Sequence, residues 1–173
     1  MKFSPETVHM QVSSPLGNLI VAATPRGLSG LWFDDQQYLP PWANWPQVSD
    51  HPMLLATQTW LAAYFAGDTT PWTLPLDMSA GTAFQQSVWQ ALLKIPRGQC
   101  STYGQISQDI GNPTAVRAVG GAIGHNPIGI IVPCHRVIGK DGSLTGYAGG
   151  LGRKTKLLDL ELRDTAPHPE SLF

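Results

Sequence analysis

The stretch IIVPCHRVIG (Ile130–Gly139) places a cysteine, a histidine and an arginine directly after an apolar run that ends at a proline. A lone cysteine at a strand end is usually a small buried hydrophobe, and we interpret Cys100, the other cysteine of the chain, in that way. Cys134 differs, because His135 and Arg136 beside it favour the thiolate, which is the nucleophilic form. The stretch therefore predicts a buried bend that carries a reactive cysteine.

A base for this cysteine is also present. Adjacent residues of an extended chain point in opposite directions, so we expect His135 to reach Cys134 through a water or a turn. A histidine base usually needs a third group that orients it. Three carboxylates downstream are candidates, and the spacing does not choose among them: Asp141, Asp159 and Glu161.

Two short helices are predicted directly before this stretch. In STYGQISQDIG the cap is Ser101 or Thr102, and Gly111 ends the helix. NPTAVRAVGGAIGHNP then begins with Asn112 as N-cap and Pro113 at the first helical position. Two short helices joined by a glycine-containing turn are typical of a helix-turn-helix, with an ordinary helical hairpin as the alternative.

The second of these helices has two unlike sides. One side is a core stripe, formed by Val116, Val119 and Ile123. The other carries one arginine and three glycines: Arg117, Gly120, Gly121 and Gly124. Each glycine lowers helix stability by about 1 kcal/mol relative to alanine, so another interaction must offset this cost. A packed partner helix explains the glycines but not the arginine, whereas a nucleic-acid surface explains both, and we predict contact with DNA.

The charge distribution indicates a similar partner. Residues 1–89 contain two basic and six acidic side chains, whereas residues 90–163 contain nine basic and four acidic ones. Such asymmetry favours a polyanion on the basic half, although an uneven surface charge without function is the alternative.

The N-terminal part predicts a small antiparallel meander followed by a helix. TVHMQVSS, GNLIVAAT and GLSGLWFD are short β-rich runs separated by turn signals. YLPPWANWPQ has too many prolines for regular structure. HPMLLATQTWLAAYFAGD contains a helical stripe that ends at Gly67 and comprises Leu54, Leu55, Trp60, Leu61, Tyr64 and Phe65. TTPWTLPLDMSAG is typical of a linker. We therefore place the domain boundary near Ala80, giving domains of residues 1–80 and 81–173.

The second domain is predicted to be helical from its start. Thr82 and Gln85 match a capping box. The helix then presents one apolar face, which comprises Phe84, Val88, Trp89, Leu92 and Ile95. Pro96 and Gly98 end it.

Composition excludes several classes of protein. With 42% hydrophobic and 13% charged residues, the chain is expected to fold. No window approaches eighteen unbroken apolar residues, and the N-terminus lacks the apolar core of a signal peptide, so we expect a cytoplasmic protein. The two cysteines and five histidines show no zinc spacing, and we predict no metal and no disulfide.

Four segments together carry a resemblance to a known family. PCHRVIG, with YGQIS, NPTAVRAVGGAIGHNP and GYAGGLGRKTKLLDLE around it, closely resembles the O6-alkylguanine-DNA alkyltransferases, from Thr82 to Glu161 almost without a gap. The N-terminal half matches only in general layout. The resemblance implies an α/β plus α protein: a ribonuclease-H-like α/β domain, then a helix-turn-helix, winged-helix-like domain that carries the cysteine. The chain is similar to bacterial single-function members, since it lacks a zinc–cysteine regulatory domain.

The resemblance implies roles for five residues. Cys134 is the alkyl acceptor, whose thiolate attacks the alkyl carbon on O6 of guanine. His135 takes the thiol proton through a water, and Glu161 orients His135. Asn126 ties the turn carrying Cys134 to the end of the recognition helix. Tyr103 assists flipping of the nucleotide and donates a hydrogen bond to the base.

It also implies where the DNA and the base bind. Arg117 enters the duplex and fills the gap left by the flipped nucleotide. The remaining expected DNA contacts are Thr102, Tyr103, Ala118, Gly120 and Gly121. The expected pocket for the alkylated base comprises Tyr103, Ile123, Val137, Tyr147 and Ala148. Two positions depart from some relatives: Ala148 stands where these have serine, and Gly129 where these have proline, which bears on tolerance for bulky groups.

The implied function is direct-reversal DNA repair. The protein would bind duplex DNA in the minor groove without reading its sequence and flip out O6-alkylguanine, with O4-alkylthymine as a second candidate lesion. The thioether product is not reversed by thiolate chemistry, so each molecule would act once. We expect a methylated-DNA–protein-cysteine methyltransferase that needs no cofactor, binds no membrane and is a monomer.

Three other readings of the sequence compete with this one. A lesion sensor of the same fold would lack the cysteine, which is present here. A Cys–His hydrolase would need an oxyanion hole and a separately placed histidine. A helix-turn-helix regulator would carry more polar side chains on its second helix than AVRAVGGAIGH does.

Overall fold

The N-terminal part is built on a three-stranded antiparallel sheet. In the computed structural model, which describes residues 1–163, the strands are β1 (Val8–Ser14), β2 (Gly17–Thr24) and β3 (Gly27–Phe33), in the order β1-β2-β3. The predicted meander is confirmed. Gly27 joins two strands with a φ of +150°, and a Cβ there would lie 2.5 Å from the Pro75 carbonyl oxygen, so only glycine fits this turn.

Helix α1 (Pro52–Phe65) packs against one face of this sheet and ends before Gly67, as predicted. Its buried stripe differs from the predicted one. Leu55 is exposed, whereas Thr57 is buried and donates its hydroxyl proton to the Met53 carbonyl at 2.7 Å. The buried positions are spaced three and four residues apart, as one helix face requires, and they are Leu54, Thr57, Leu61 and Tyr64.

The proline-rich segment after β3 covers the other face of the sheet. It contains one 3-10 turn (Trp42–Asn44) and otherwise no helix or strand, close to the prediction. The sheet side chains beneath it are Ile20, Ala22 and Trp32, and the covering side chains are Phe3, Leu39, Trp42 and Trp45. A second, smaller hydrophobic core thus lies on the face of the sheet opposite α1.

The segment 69–81, predicted to be a linker, is held against the sheet. Leu76 forms an isolated bridge with Leu28, and the backbone N–H of Asp77 donates to the Leu28 carbonyl at 2.7 Å. The Asp77 carboxylate accepts from the Thr24 hydroxyl at 2.6 Å. The linker prediction was wrong in this respect, because proline and glycine content does not report edge pairing with a distant strand.

The second half contains four helices and a pair of two-residue strands within the described residues. They are α2 (Ala83–Leu92), β4 (Ser101–Thr102), α3 (Tyr103–Asp109), α4 (Val116–Gly124), β5 (Val137–Ile138) and α5 (Leu151–Arg163). Helices α2, α3 and α4 pack together, and β4 pairs with β5 in parallel. The capping box of Thr82 and Gln85 is confirmed, and Thr102 is the cap of α3.

Helix α4 begins later than predicted. Its N-cap is Ala115, without a capping side chain, so the assignment of Asn112 and Pro113 was wrong. The Asn112 backbone instead closes the end of α3: its N–H donates to the Ser107 carbonyl and its own carbonyl accepts the Ser107 hydroxyl. Val116 is consequently the exposed first residue of α4 and not part of the core stripe, in which Ala122 is buried.

The segment before the cysteine is attached to the free edge of β3. The Leu31 N–H donates to the Pro127 carbonyl at 2.8 Å, and the Gly129 N–H donates to the Leu31 carbonyl at 2.9 Å. A proline at position 129 would lack this donor. The sheet of the N-terminal part therefore fixes the position of the chain that leads to Cys134.

None of the helices in the described part of the chain has the length and apolarity that a membrane crossing requires.

Replacing Thr82 with alanine should lower the free energy of unfolding by about 1 kcal/mol, because the N–H groups of the first turn of α2 lose a capping oxygen. Urea unfolding measures the loss. Thr82→Ser is the matched control and should retain most of the stability, since serine also caps. Equal losses in the two variants would show that the cap contributes nothing.

Candidate active site

Cys134 lies at the start of a 3-10 turn (Cys134–Arg136) and is buried. The turn is held by Asn126, which follows α4. The Asn126 amide donates to the Val132 carbonyl at 2.8 Å, and its oxygen accepts the Ile128 N–H at 3.0 Å. Asn126 thus connects the end of α4 to the chain that enters the cysteine turn.

The carboxylate of Glu161 on α5 is the centre of a buried network. Its Oε1 accepts from His135 Nε2 at 2.8 Å and from Arg136 Nη2 at 2.9 Å, and its Oε2 accepts from Arg136 Nε at 2.8 Å. The geometry therefore selects Glu161 among the three candidate carboxylates. Asp141 instead binds Ser143 locally, and Asp159 is exposed.

The protonation of this network follows from its contacts. Although burial alone would raise the pKa of Glu161, the hydrogen bonds from His135 and Arg136 hold that pKa far below its usual range. Burial lowers the pKa of His135, against the opposing effect of Glu161. A neutral His135 that donates from Nε2 keeps Nδ1 as an acceptor, and this buried Nδ1 has no hydrogen-bond partner within residues 1–163.

Burial raises the pKa of the Cys134 thiol, and the groups that oppose this are the Asn126 side chain and the Lys154 ammonium. The sequence expectation that Arg136 favours the thiolate was wrong, because its guanidinium is directed to Glu161 and to the Ile95 carbonyl. Cys100 also differs from its prediction: it is exposed, in the connection between α2 and β4. Both cysteines are free.

Lys154 is one residue of the site that sequence reasoning missed. Its side chain is fully buried, and its Nζ donates to the carbonyls of Val137 at 2.5 Å, Thr145 at 3.1 Å and Gly146 at 3.3 Å. A signal was available, because Lys154 and Glu161 are seven residues apart and thus on one face of a helix. The lysine fixes the backbone around the cysteine and brings a positive charge to it.

A cavity of about 170 Å³ opens onto Cys134. Four of the predicted pocket residues line it: Tyr103, Ile123, Tyr147 and Ala148. Gly120 and Gly124, from the predicted DNA-facing side of α4, line it as well, and sequence reasoning missed the others, which are Gln37, Tyr38 and Gly146. Val137 does not line it, being fully buried with its carbonyl bound to Lys154. Larger cavities lie elsewhere, but those described contain no cysteine.

Tyr103 forms one wall of this cavity at the start of α3. Its hydroxyl donates to the Thr145 carbonyl at 2.7 Å, which closes the cavity on that side. The preceding residue, Thr102, caps α3 by accepting the Gln105 N–H at 3.1 Å. The predicted hydrogen bond from Tyr103 to a base therefore requires this hydroxyl to leave Thr145.

The side of α4 that carries the glycines faces outward beside the cavity. Arg117, Ala118 and Gly121 are exposed. An added Cβ would meet only ordinary contacts, 3.8 Å from the Tyr103 ring at Gly120 and 3.6 Å from Tyr38 at Gly124, and nothing within 4 Å at Gly121. Packing inside the described protein therefore does not require these glycines.

No cluster of histidine, cysteine, aspartate or glutamate within residues 1–163 is placed to hold a metal ion. The chemistry available at the cavity is that of a buried thiol next to a carboxylate-bound imidazole.

Comparison with known proteins assigns the chain to a family. The model of the ribonuclease-like domain of 6-O-methylguanine DNA methyltransferase matches residues 8–78, and the model of its DNA binding domain matches residues 83–163. The chain belongs to the 6-O-methylguanine DNA methyltransferase family. This confirms the resemblance and the two-part architecture.

Individual relatives agree with this membership. The methylated-DNA–protein-cysteine methyltransferase of Mycobacterium tuberculosis is 48% identical over 162 residues, which cover 94% of this chain and 96% of the relative. That of Haemophilus influenzae is 44% identical over 149 residues, covering 86% and 82%. The chain is accordingly a DNA repair protein that transfers an alkyl group from DNA to a cysteine of the protein.

Solved structures of the family have the same fold. The O6-methylguanine methyltransferase of M. tuberculosis superposes with a TM-score of 0.83 at 47% identity, covering 96% of this chain and 99% of the other. The M. tuberculosis OGT structure in complex with DNA superposes with a TM-score of 0.82 at 46% identity and the same coverage.

Replacing Lys154 with methionine should raise the pKa of the Cys134 thiol, because the thiolate loses its nearby cation. The pH dependence of iodoacetamide alkylation in a Cys100→Ser background measures this pKa. Lys156→Met, at an exposed position of the same helix, is the matched control and should leave the pKa of the Cys134 thiol unchanged. An unchanged midpoint in Lys154→Met would show that Lys154 acts only on the backbone.

Proposed function

We propose that Cys134 is the alkyl acceptor of this repair reaction. The thiolate attacks the alkyl carbon on O6 of guanine, a sulfur–carbon bond forms, the carbon–oxygen bond breaks, and guanine leaves with its electron pair. The observation that carries the proposal is the position of the buried thiol, on a cavity lined by Tyr103 and Tyr147 and next to the carboxylate-bound His135.

The thiol proton passes to His135. The free Nδ1 accepts it through a water, and Glu161 stabilises the imidazolium that forms by accepting from Nε2. Asn126 holds the turn, and the backbone around it is fixed by Lys154. The thiol is neutral until its proton is taken, because burial disfavours the thiolate.

The DNA binds along the outer face of α4. Gly120 and Gly121 have no side chains, so the helix can approach the minor groove closely, with Ala118 and Thr102 beside them. Arg117 enters the base stack at the position that the flipped nucleotide has left. Contacts to phosphates give affinity without reading sequence. The M. tuberculosis relative solved in complex with DNA supports this proposal.

The flipped base occupies the cavity. An alkylated guanine pairs poorly, so its extrusion costs less than that of a normal base. Ile123 packs on the base, and Tyr103 donates to it after releasing Thr145. Polar backbone groups near Tyr147 and Ala148 complete the pocket. Acceptance of O4-alkylthymine stays a prediction.

The reaction consumes the protein, because the thioether on Cys134 is not reversed. One molecule therefore repairs one lesion. We further propose that the protein is cytoplasmic, and two free cysteines agree with a reducing compartment. We also propose a monomer with domains of residues 1–80 and 81–173, of which residues 164–173 lie outside the described part.

Incubation with a duplex that carries one O6-methylguanine, isotope-labelled in its methyl group, tests this function. Label should move to the protein in wild type and in Cys100→Ser, and Cys134→Ala should bind the duplex but acquire no label. Tight binding without transfer in the wild type would indicate a lesion sensor. If the protein neither bound the duplex nor acquired label, the Cys–His hydrolase would be the remaining function. Equal binding to damaged and undamaged duplex would indicate a helix-turn-helix regulator.

Arg117→Ala should slow transfer from duplex DNA by roughly ten-fold or more, because the gap left by the flipped nucleotide is no longer filled. Transfer from free O6-methylguanine should keep its rate, since no stack is opened. Lys94→Ala, at an exposed position after α2, is the control for lost positive charge. Equal slowing on duplex and free base would contradict insertion.

A further inference from the structure

One contact of the buried network comes from the N-terminal part of the chain. The hydroxyl of Tyr64, on α1, donates to Glu161 Oε1 at 2.7 Å. The same oxygen accepts from His135 Nε2 at 2.8 Å. Neither the family's implied roles nor the sequence analysis gives Tyr64 a function. We propose that Tyr64 is a positioning residue that sets the basicity of His135 through Glu161; this rests on the proton relay proposed above.

The ring of Tyr64 is held firmly enough for such a role. Its side chain is 2% exposed. Trp60 stacks on it with ring centroids 5.2 Å apart and an interplanar angle of 20°, and the Arg97 guanidinium lies over the ring at 4.8 Å from its centroid. Burial, followed by the Glu161 charge, raises the pKa of Tyr64 well above its usual value, so the hydroxyl keeps its proton and remains a donor.

The effect on His135 follows from competition for one oxygen. The hydrogen bond from Tyr64 draws electron density from Glu161 Oε1. This oxygen therefore accepts more weakly from His135 and stabilises the imidazolium less. Removal of the hydroxyl leaves Glu161 held by Nε and Nη2 of Arg136, so the carboxylate keeps its place. Its pull on the His135 proton then increases. Tyr64 therefore keeps His135 neutral and able to accept the thiol proton.

Other charged and titratable groups within residues 1–163 interact with Tyr64, Glu161 or His135 or adjoin His135 in the chain. They are Arg97, Cys100, Cys134, Arg136, Tyr147 and Lys154. Besides His135, Glu161 Oε1 accepts from two donors, the Tyr64 hydroxyl and Arg136 Nη2, and of these two the Tyr64 hydroxyl is the uncharged one. Its removal therefore changes no charge near the thiol.

The substitution Tyr64→Phe in the full chain tests this inference, because it removes the hydroxyl and keeps the ring. The pKa of the His135 imidazole, followed by NMR, should rise by about half to one unit. Burial lowers the pKa of His135 and raises that of Cys134, so the imidazole loses its proton at lower pH than the thiol does. The acid limb of the plot of transfer rate against pH therefore reports on His135 and should shift to higher pH in Tyr64→Phe. An unmoved His135 pKa would overturn the inference.

Two further variants separate the possible failures. Leu61→Val loosens the packing of the same helix without touching the hydroxyl, and it should leave the His135 pKa in place; an equal rise there would reduce Tyr64 to a packing residue. Glu161→Gln should lower the His135 pKa, opposite to Tyr64→Phe. If Glu161→Gln folds and changes nothing, the proposed relay fails; if only Tyr64→Phe changes nothing, the role of Tyr64 fails alone.

Discussion

A single buried carboxylate, that of Glu161, holds the active site together. A buried charge is costly unless it is paired and hydrogen-bonded, and Glu161 accepts from Tyr64 on α1 and from His135 and Arg136 of the cysteine turn. These donors come from both halves of the chain. The position of α5 relative to the cysteine turn and α1 is therefore fixed by the need to satisfy this carboxylate.

The cysteine is kept in a state that is protected but ready to react. Burial favours the neutral thiol, while the Lys154 ammonium and the Asn126 amide reduce the cost of the thiolate. The Tyr103 hydroxyl closes the cavity by binding Thr145. A thiol that is consumed by one alkylation benefits from such protection, because any reaction with another electrophile would waste the molecule.

Sequence patterns predicted what depends on neighbours along the chain. The meander, α1 and the capping box at Thr82 all arise from local periodicity and turn residues, and the cysteine turn from a proline after an apolar run. The late start of α4 was not predictable in this way, because Asn112 is bound to the end of α3. The choice of Glu161 came from resemblance, and the roles of Lys154 and Tyr64 needed coordinates, since their partners are distant in sequence.

The pKa of the Cys134 thiol in wild type and in Glu161→Gln tests the central claim most directly, measured from thiol reactivity against pH in a Cys100→Ser background. Loss of the carboxylate charge removes the support for the His135 imidazolium, so the account predicts a higher thiol pKa in the folded variant. An unchanged thiol pKa, with the fold intact by circular dichroism, would contradict the claim that Glu161 activates Cys134 through His135.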